Sequence, residues 1–248
     1  MSGSILVPAV ICNRHGSTVF CTADVPGDLA ALVVERAGCP NGTRECACRP
    51  VVSIVAAVDG DGVERALTQS GRCVEVSGGQ LLAGENLIPA LERRCLYMAL
   101  STASAYALAP ARLFCKVLGQ RLGLSDTVRE TIELALHEAV INGILHGNLE
   151  IGSDGRETMQ GFQRFCETVA QRLQDDRFAG RCLEIFAGAD GADIVVTVAD
   201  SGPGYQVAAP QSPDPGAKSG RGLVMIGHFA KSTRVEDGGR RLCMRFAR

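Results

Sequence analysis

A glutamate and an asparagine stand four residues apart in a segment whose apolar residues recur with helical spacing. Glu138 and Asn142 would share one face of that helix, beside Leu134, Ile141 and Leu145. Polar groups on an apolar stripe need polar partners. An asparagine oxygen can bind a hydrated cation, and a glutamate can take a proton from a nucleophile. Taken alone, the pair also fits an exposed helix side.

A second polar signal follows an apolar run of residues 194–199 that is typical of a strand. Asp200 ends this run, and Gly202 and Gly204 come two and four residues later. An aspartate can accept a hydrogen bond from an exocyclic amine, and glycines let the backbone approach a ring closely. A plain turn after a strand is the alternative interpretation of the same residues.

The third signal is a glycine-rich loop that opens directly into a helix. Gly220, Arg221 and Gly222 precede the apolar residues of this helix. Free backbone N–H groups and the helix dipole would face an anion there. An ordinary loop is again the alternative. The sequence has no G-x-x-x-x-G-K-[ST] motif and no G-x-G-x-x-G after its first strand, which excludes a P-loop and a dinucleotide-binding fold.

The elements that would position these residues follow from capping and periodicity. Ser125 and Asp126 are typical of a helix start, and Gly147 and Asn148 of a helix end near residue 146. Two antiparallel strands are predicted around a turn at 188–191. The remaining predicted elements of this half are a helix at 110–121, a helix at 162–173, a loop at 205–220, a helix at 223–229, and a closing hairpin of 232–236 and 241–246.

In this order the three signals resemble the GHKL ATPase superfamily, the Bergerat-fold group that includes histidine kinases, gyrase B and Hsp90. E-x-x-x-N resembles the N box, D-S-G-P-G the adenine-binding box and G-R-G-L the second glycine box. The likeness covers about residues 95 to 248 and is greatest to the anti-sigma-factor serine kinases. It implies a two-layer α/β sandwich of the Bergerat type, with ATP and Mg²⁺ as cofactors.

The resemblance also implies a role for each motif residue. Glu138 would be the general base, Asn142 would bind Mg²⁺, and Asp200 would hold the adenine amine. Four glycines and one arginine would shape the nucleotide floor or meet the phosphates through a mobile lid at about 206–222, namely Gly202, Gly204, Gly220, Gly222 and Arg221.

Three histidine and cysteine positions bear on this resemblance. His146 matches the family pattern, either as a structural residue at the helix end or as a nucleotide contact. Cys243 is expected where the family often carries a threonine that supports the adenine aspartate, which would weaken adenine binding. No phosphoacceptor-histidine helix pair precedes the domain, and His137 lies inside the N box. The sequence therefore does not resemble an ordinary histidine kinase.

Residues 18–94 alternate short apolar runs with helical patterns, which predicts a parallel sheet with helices around it. They resemble the back half of a receiver domain with Thr22 at the acceptor position, alanine at the Ser/Thr position of strand 51–58, and Gly78-Gly79 where a lysine is expected. Such a domain could not take a phosphoryl group. A generic α/β interaction domain is the alternative. We expect an α/β protein with this regulatory domain at residues 1–90 and the ATPase-like domain at 91–248.

Composition limits the partners of the chain. With 25 Lys+Arg against 27 Asp+Glu in 248 residues, the sequence lacks the basic excess of a nucleic-acid-binding protein. No membrane span and no basic leader are recognised, so a cytoplasmic location is the expectation. Cys39, Cys46 and Cys48 form the one cysteine cluster, and both free thiols and a metal site stay open.

Two functions remain compatible with the sequence. The first is a signalling regulator that phosphorylates a Ser or Thr on a partner, such as an anti-sigma antagonist. The second is a non-catalytic module that sequesters a sigma factor or another signalling protein, with or without nucleotide. A homodimer is possible, because proteins similar to this chain often dimerise. Fold alone does not decide between the two functions.

Overall fold

The structure is a computed structural model that describes residues 11–12, 18–21, 50–56, 58–78, 80–82, 84–152, 158–204 and 221–248. The chain divides into two compact units, Met1–Leu100 and Ser101–Arg248. The predicted helix at 28–36, the segment with Cys39, Cys46 and Cys48, and Thr22 lie outside the described residues. The predicted loop at 205–220, which includes Gly220, lies outside them as well.

The first unit contains a mainly parallel sheet. Its elements are β1 (Ile11–Cys12), β2 (Thr18–Cys21), β3 (Pro50–Val55), α1 (Gly60–Ser70), β4 (Arg72–Ser77), β5 (Gln80–Leu81), α2 (Leu87–Glu92) and β6 (Leu96–Ser101). Strands β2, β3, β4 and β6 are neighbours in that order and run parallel. Strand β1 pairs antiparallel with β2, and β5 with β4. The strand predicted at 51–58 ends at Val55.

The parallel order explains the composition of these strands. Parallel strands between helices are buried on both faces and therefore carry near-continuous apolar runs. Ile54, Val74 and Met98, one from each central strand, are fully buried. Strand β6 pairs with β4 in this sheet. The chain divides into its two compact units between Leu100 and Ser101, ten residues after the boundary expected from the sequence.

The second unit combines helices with an antiparallel sheet. Its elements are α3 (Thr102–Ala107), α4 (Pro110–Leu122), α5 (Asp126–Asn142), a π-helix (Gly143–Asn148), α6 (Met159–Leu173), α7 (Asp176–Ala179), β7 (Cys182–Asp190), β8 (Asp193–Asp200), α8 (Arg221–Phe229), β9 (Ser232–Glu236), a 3₁₀ turn (Asp237–Gly239) and β10 (Arg241–Ala247). The sheet order is β7, β8, β10, β9, and all of its pairs are antiparallel.

Alternating side chains of this sheet form the core under the helices. Ile185, Val196 and Met244, from three adjacent strands, are almost fully buried, as expected for the covered face of a half-buried sheet. Helix α5 contacts α4, α8, β8 and β10, so it lies at the centre of the unit. This arrangement confirms the predicted α/β fold class. In the described part of the chain, no helix combines the length and apolar character that a membrane crossing requires.

Two predicted details of the second unit are wrong. The turn between β7 and β8 lies at Gly191 and Ala192, after the predicted 188–191, because the pairing extends to Asp190 and Asp193. Gly147 and Asn148 do not end the long helix in a left-handed conformation. The chain continues as a π-helix through Asn148, and Glu150 is the residue with positive φ, at 54°.

Candidate functional site

Helix α5 carries the first motif to the centre of the second unit. Its start is fixed by Ser125, whose hydroxyl accepts from the Val128 N–H at 3.3 Å. Fully buried Ile132 and Leu136 hold one face of the helix against the core. Glu138 and Asn142 are half-buried beside that face. Leu134, which the sequence places on the same stripe, is 53% exposed.

The third motif contacts the first through a single glycine. Gly222 stands in the first turn of α8, next to α5. A Cβ atom at this position would lie 3.1 Å from Oε2 of Glu138 and 3.1 Å from Nδ2 of Asn142. A side chain at this position would displace both polar groups by a few tenths of an ångström, so glycine allows the start of α8 to approach them closely. The structure therefore brings together the carboxylate, the carboxamide and the start of α8. Arg221 is the first residue of that helix.

A π-helix follows directly after Asn142. Its i→i+5 geometry appears in the bond from the Leu149 N–H to the Ile144 carbonyl, at 2.8 Å. The Nδ1 atom of His146 lies 2.5 Å from the Ile151 carbonyl oxygen, so that nitrogen carries a proton and donates. This bond ties the helix to the segment that leaves it. The structural role expected for His146 accounts for its position.

The second motif packs against this π-helix. A Cβ atom on Gly147 would lie 2.4 Å from the Asp200 carboxyl carbon, and one on Gly202 would lie 2.2 Å from the Gly147 carbonyl oxygen. A Cβ atom on Gly143 would lie 3.8 Å from the Cβ of Asp200. Asp200 therefore sits against the glycine face of the π-helix, which Gly143 and Gly147 form after Asn142. All three motifs meet along one continuous helical segment.

The carboxylate of Asp200 is held in place at the end of β8. The Gly202 N–H donates to Oδ1 at 2.9 Å, which leaves Oδ2 as an acceptor for a ligand. Burial raises the pKa of Asp200 to about 6, and the Gly202 bond and the charges of Arg240 and Arg181 oppose this rise. A buried carboxylate with few protein donors can accept from an exocyclic amine of a bound ligand.

Asn148 is a positioning residue that the sequence interpretation missed. Its side chain is fully buried. The amide nitrogen donates to the Cys182 carbonyl at 3.1 Å, and the amide oxygen accepts from the Ser201 N–H at 2.8 Å. Asn148 thus joins the start of β7 to the residue after Asp200. The available signal was the pair Gly147-Asn148, which we interpreted as a helix end.

The far side of the second motif is closed by a tight turn. Gly204 has φ of +76°, and a Cβ atom there would lie 2.3 Å from the Gly238 carbonyl oxygen. The Asp200 N–H donates to the Arg240 carbonyl at 2.9 Å. Gly204 therefore needs to be glycine both for its conformation and for its contact with the turn.

The predicted place of Cys243 beside Asp200 is wrong. Cys243 pairs with Thr197, and its sulfur lies 3.6 Å from the Thr197 hydroxyl and 3.7 Å from a Glu236 carboxylate oxygen. Arg240 is the residue whose backbone meets Asp200. The expected weakening of adenine binding by a thiol at that place therefore has no structural basis.

The donor atoms of the site fit the groups that the resemblance implies. The amide oxygen of Asn142 is a hard oxygen ligand, and Mg²⁺ prefers such ligands together with substrate phosphates and water, while the carboxylate of Glu138 is a proton acceptor. Both side chains contact the start of α8, where backbone N–H groups suit phosphates. Within the described ranges, no group of three or more His, Cys, Asp or Glu side chains is arranged to hold a metal ion.

Comparison with known proteins agrees with this geometry. No curated protein matches the chain in a sequence search. The sequence profile of the histidine kinase-like ATPase domain matches residues 101–246, which is more than half of the chain and includes every motif residue of the site. Such a domain implies ATP binding, usually with Mg²⁺, and a role in signalling. The chain therefore belongs to the family of histidine kinase-like ATPase domains.

Proposed function

We propose that residues 101–248 bind Mg-ATP and transfer its γ-phosphoryl group to a Ser or Thr hydroxyl of a partner protein. The observation that carries this proposal is the contact of Gly222 with both Glu138 and Asn142. This contact brings together the proton acceptor Glu138, the oxygen ligand Asn142 and the start of α8. The resemblance to anti-sigma-factor kinases indicates an antagonist of a sigma-factor regulator, or another signalling protein, as the partner.

The chain's own residues divide the work of this reaction. Glu138 takes the proton of the hydroxyl as its oxygen forms a bond to the γ-phosphorus and the bond to the ADP oxygen breaks. Asn142 and the start of α8 orient the phosphates, and Asp200 holds the adenine ring. Mg²⁺, bound with ATP, would neutralise phosphate charge. The products are ADP, the phosphorylated side chain and one proton on Glu138.

Nucleotide binding is tested by titrating Mg-ATP into the wild-type protein and the Asp200→Asn variant in a calorimeter. We expect binding by the wild type and a loss of at least tenfold in the variant, because the amide puts a donor where the base amine needs an acceptor. Asp126→Asn, at an exposed position in the same unit, should bind like the wild type. Equal affinity of Asp200→Asn and wild type would contradict the role of Asp200.

Phosphoryl transfer is tested with Glu138→Gln, which keeps the shape of the side chain and removes the base. With water as the phosphoryl acceptor in place of the partner hydroxyl, we expect ATP affinity to stay within about threefold and the rate of ADP formation to fall by about 10²–10⁴-fold, the usual contribution of a general base. Glu130→Gln, at an exposed position on the same helix, is the matched control. An unchanged rate in Glu138→Gln would show that this carboxylate is not the base.

One observation favours the second function, partner binding without transfer. Leu223, Val224 and Met225, directly after Gly222 on α8, are exposed apolar residues. Such residues next to a nucleotide site suit a partner-binding surface. A partner that binds stoichiometrically and equally well with and without ATP, to protein that forms no ADP, would favour this function over the kinase.

A further inference from the structure

Arg240 is a neighbour of Asp200, whose carboxylate is proposed to hold the adenine ring of the nucleotide. Its carbonyl oxygen accepts from the Asp200 N–H at 2.9 Å. Its Cγ atom is 3.2 Å from the Cβ position of Gly204, so the side chain packs beside Gly204 where it leaves the backbone. The charge of Arg240 also acts on Asp200, because it lowers the pKa of that carboxyl. A cationic side chain therefore begins beside the backbone of Asp200 and Gly204, and its charge acts on the Asp200 carboxylate.

The turn before Arg240 holds the guanidinium group in place. Nη2 donates to the Asp237 carboxylate at 2.7 Å, and Nε donates to the Asp237 carbonyl at 3.3 Å. Asp237 has φ of 51°, an uncommon conformation for a residue with a side chain. Local strain of this kind persists where surrounding contacts fix it. A guanidinium has five N–H donors, so Arg240 can serve Asp237 and a ligand together.

An acceptor next to a donor matches one purine and opposes the other. Adenine presents an amine donor at its 6-position and a nitrogen acceptor at the adjacent ring position N1. Guanine carries a carbonyl acceptor at the first of these positions and an N–H donor at the second. In the same pose, guanine would set its carbonyl against a carboxylate and its N–H against a guanidinium. Both polar contacts would then be repulsive.

We propose that Arg240 is the base-selecting residue of the nucleotide site: it donates to N1 of adenine while Asp200 accepts from the adjacent amine, and the pair excludes guanine. This inference rests on the proposed ATP binding and adds to it the residue that reads the base. Asp237 is a positioning residue, because it acts through the guanidinium that it holds.

The test compares three nucleotides and three proteins by calorimetry. The nucleotides are Mg-ATP, Mg-GTP and the Mg²⁺ complex of 1-deaza-ATP, in which a C–H replaces N1. The proteins are the wild type, Arg240→Ala and Arg234→Ala, an exposed arginine on β9 that pairs with Glu236 at 3.5 Å. We expect wild type to bind 1-deaza-ATP about tenfold more weakly than ATP, the scale of a hydrogen bond to a charged group. GTP should bind at least 100-fold more weakly than ATP.

Arg240→Ala should bind ATP about tenfold more weakly than the wild type does. It should bind 1-deaza-ATP with the same affinity as the wild type, because the substitution and the deaza analogue each remove the same hydrogen bond. The ATP/GTP preference should shrink, and Arg234→Ala should behave like the wild type. If wild type binds ATP and 1-deaza-ATP equally, the role of Arg240 is overturned while ATP binding stands; this arm needs no variant and no refolding. If wild type binds no nucleotide, both proposals fall.

Discussion

Asp200, the residue proposed to bind adenine, destabilises the folded protein when it is ionised. Burial raises the pKa of its carboxyl from 3.8 to about 6. This difference corresponds to roughly 3 kcal/mol by which ionisation at neutral pH disfavours the folded state. In the proposed complex, the amine of adenine would donate to this carboxylate in place of the water that burial removes. Function and stability are therefore opposed at this residue.

We expect Asp200→Asn to raise the free energy of unfolding of the nucleotide-free protein at pH 8 by about 1–3 kcal/mol, since the amide keeps the oxygen that accepts from Gly202 and has no charge to bury. Urea unfolding of both proteins from pH 4 to pH 8 measures this gain. The folded protein keeps its proton up to about pH 6, so the stability contributed by protonated Asp200 is complete below pH 3.8 and is lost as pH rises through 6.

The Asp200→Asn variant should lack this fall in stability between pH 4 and pH 6. The opposite result, a variant less stable than wild type at pH 8 with the same pH profile, would show that the charge of Asp200 is compensated within the folded protein. Asp193 gives the contrast: its hydrogen bond with Lys231 lowers the pKa of its carboxyl, so its ionised form is favoured.

Residue types and spacing predicted the motif residues but not every neighbour. Glu138, Asn142, Asp200 and Gly222 were recognised from the sequence, and the structure brings them together along α5 and the π-helix. Cys243 was misplaced because strand register depends on the turn. The 3₁₀ turn and Arg240 stand between β9 and β10, and this geometry sets Cys243 opposite Thr197. The residue types in this turn do not predict the positive φ of Asp237.

At the scale of elements, the approach of α8 to α5 would set the geometry of the proposed phosphoryl transfer. We expect Gly222→Ala to slow ADP formation about tenfold with little change in stability, because its Cβ would press on the side-chain ends of Glu138 and Asn142, and small misplacements at a reacting centre are costly. Steady-state rates and urea unfolding of the same samples separate the two effects.

Gly227→Ala is the matched control in the same helix. A Cβ atom at Gly227 meets nothing within 4 Å, so the substitution should stabilise the protein by about 0.5–1 kcal/mol and leave the rate unchanged. If both variants have the wild-type rate, the contact between α8 and Glu138 is not part of the reaction.

Periodicity and capping predicted most elements of the second unit to within a few residues. The strand at Ser232–Glu236 has the predicted bounds, and the helices predicted at 110–121 and 162–173 run over Pro110–Leu122 and Met159–Leu173. The π-helix was not predicted because its cause is tertiary. Gly147 is needed for contact with Asp200, and Asn148 for its bonds to two other segments. Local sequence rules assign the same pair to a helix end.

At the scale of the whole molecule, the family match and the second compact unit cover nearly the same residues, 101–246 and 101–248. We expect Mg-ATP to slow amide hydrogen exchange at 138–148, 200–204 and 240, and to leave β3, β4 and α1 of the first unit unchanged, because every proposed contact lies in the second unit. Mass spectrometry of the full chain with and without nucleotide measures this. Protection spread equally over both units would contradict the assignment.

The alternation of strands and helices was sufficient to predict the parallel sheet of the first unit. It could not predict a function for that unit. The receiver resemblance stays a prediction, since Thr22 lies outside the described residues. A regulatory role of this unit likewise stays a prediction from its sequence pattern.

The interlocked glycines under Asp200 also limit how the site can evolve. Gly147 and Gly202 are closed to every other residue, because any Cβ would meet a carboxylate or a backbone carbonyl within 2.4 Å. Single mutations there remove the site instead of tuning it. Arg240 differs from these glycines, because its side chain is 43% exposed. The proposed role of Arg240 makes it the position at which we expect a change of nucleotide preference to begin in descendants of this chain.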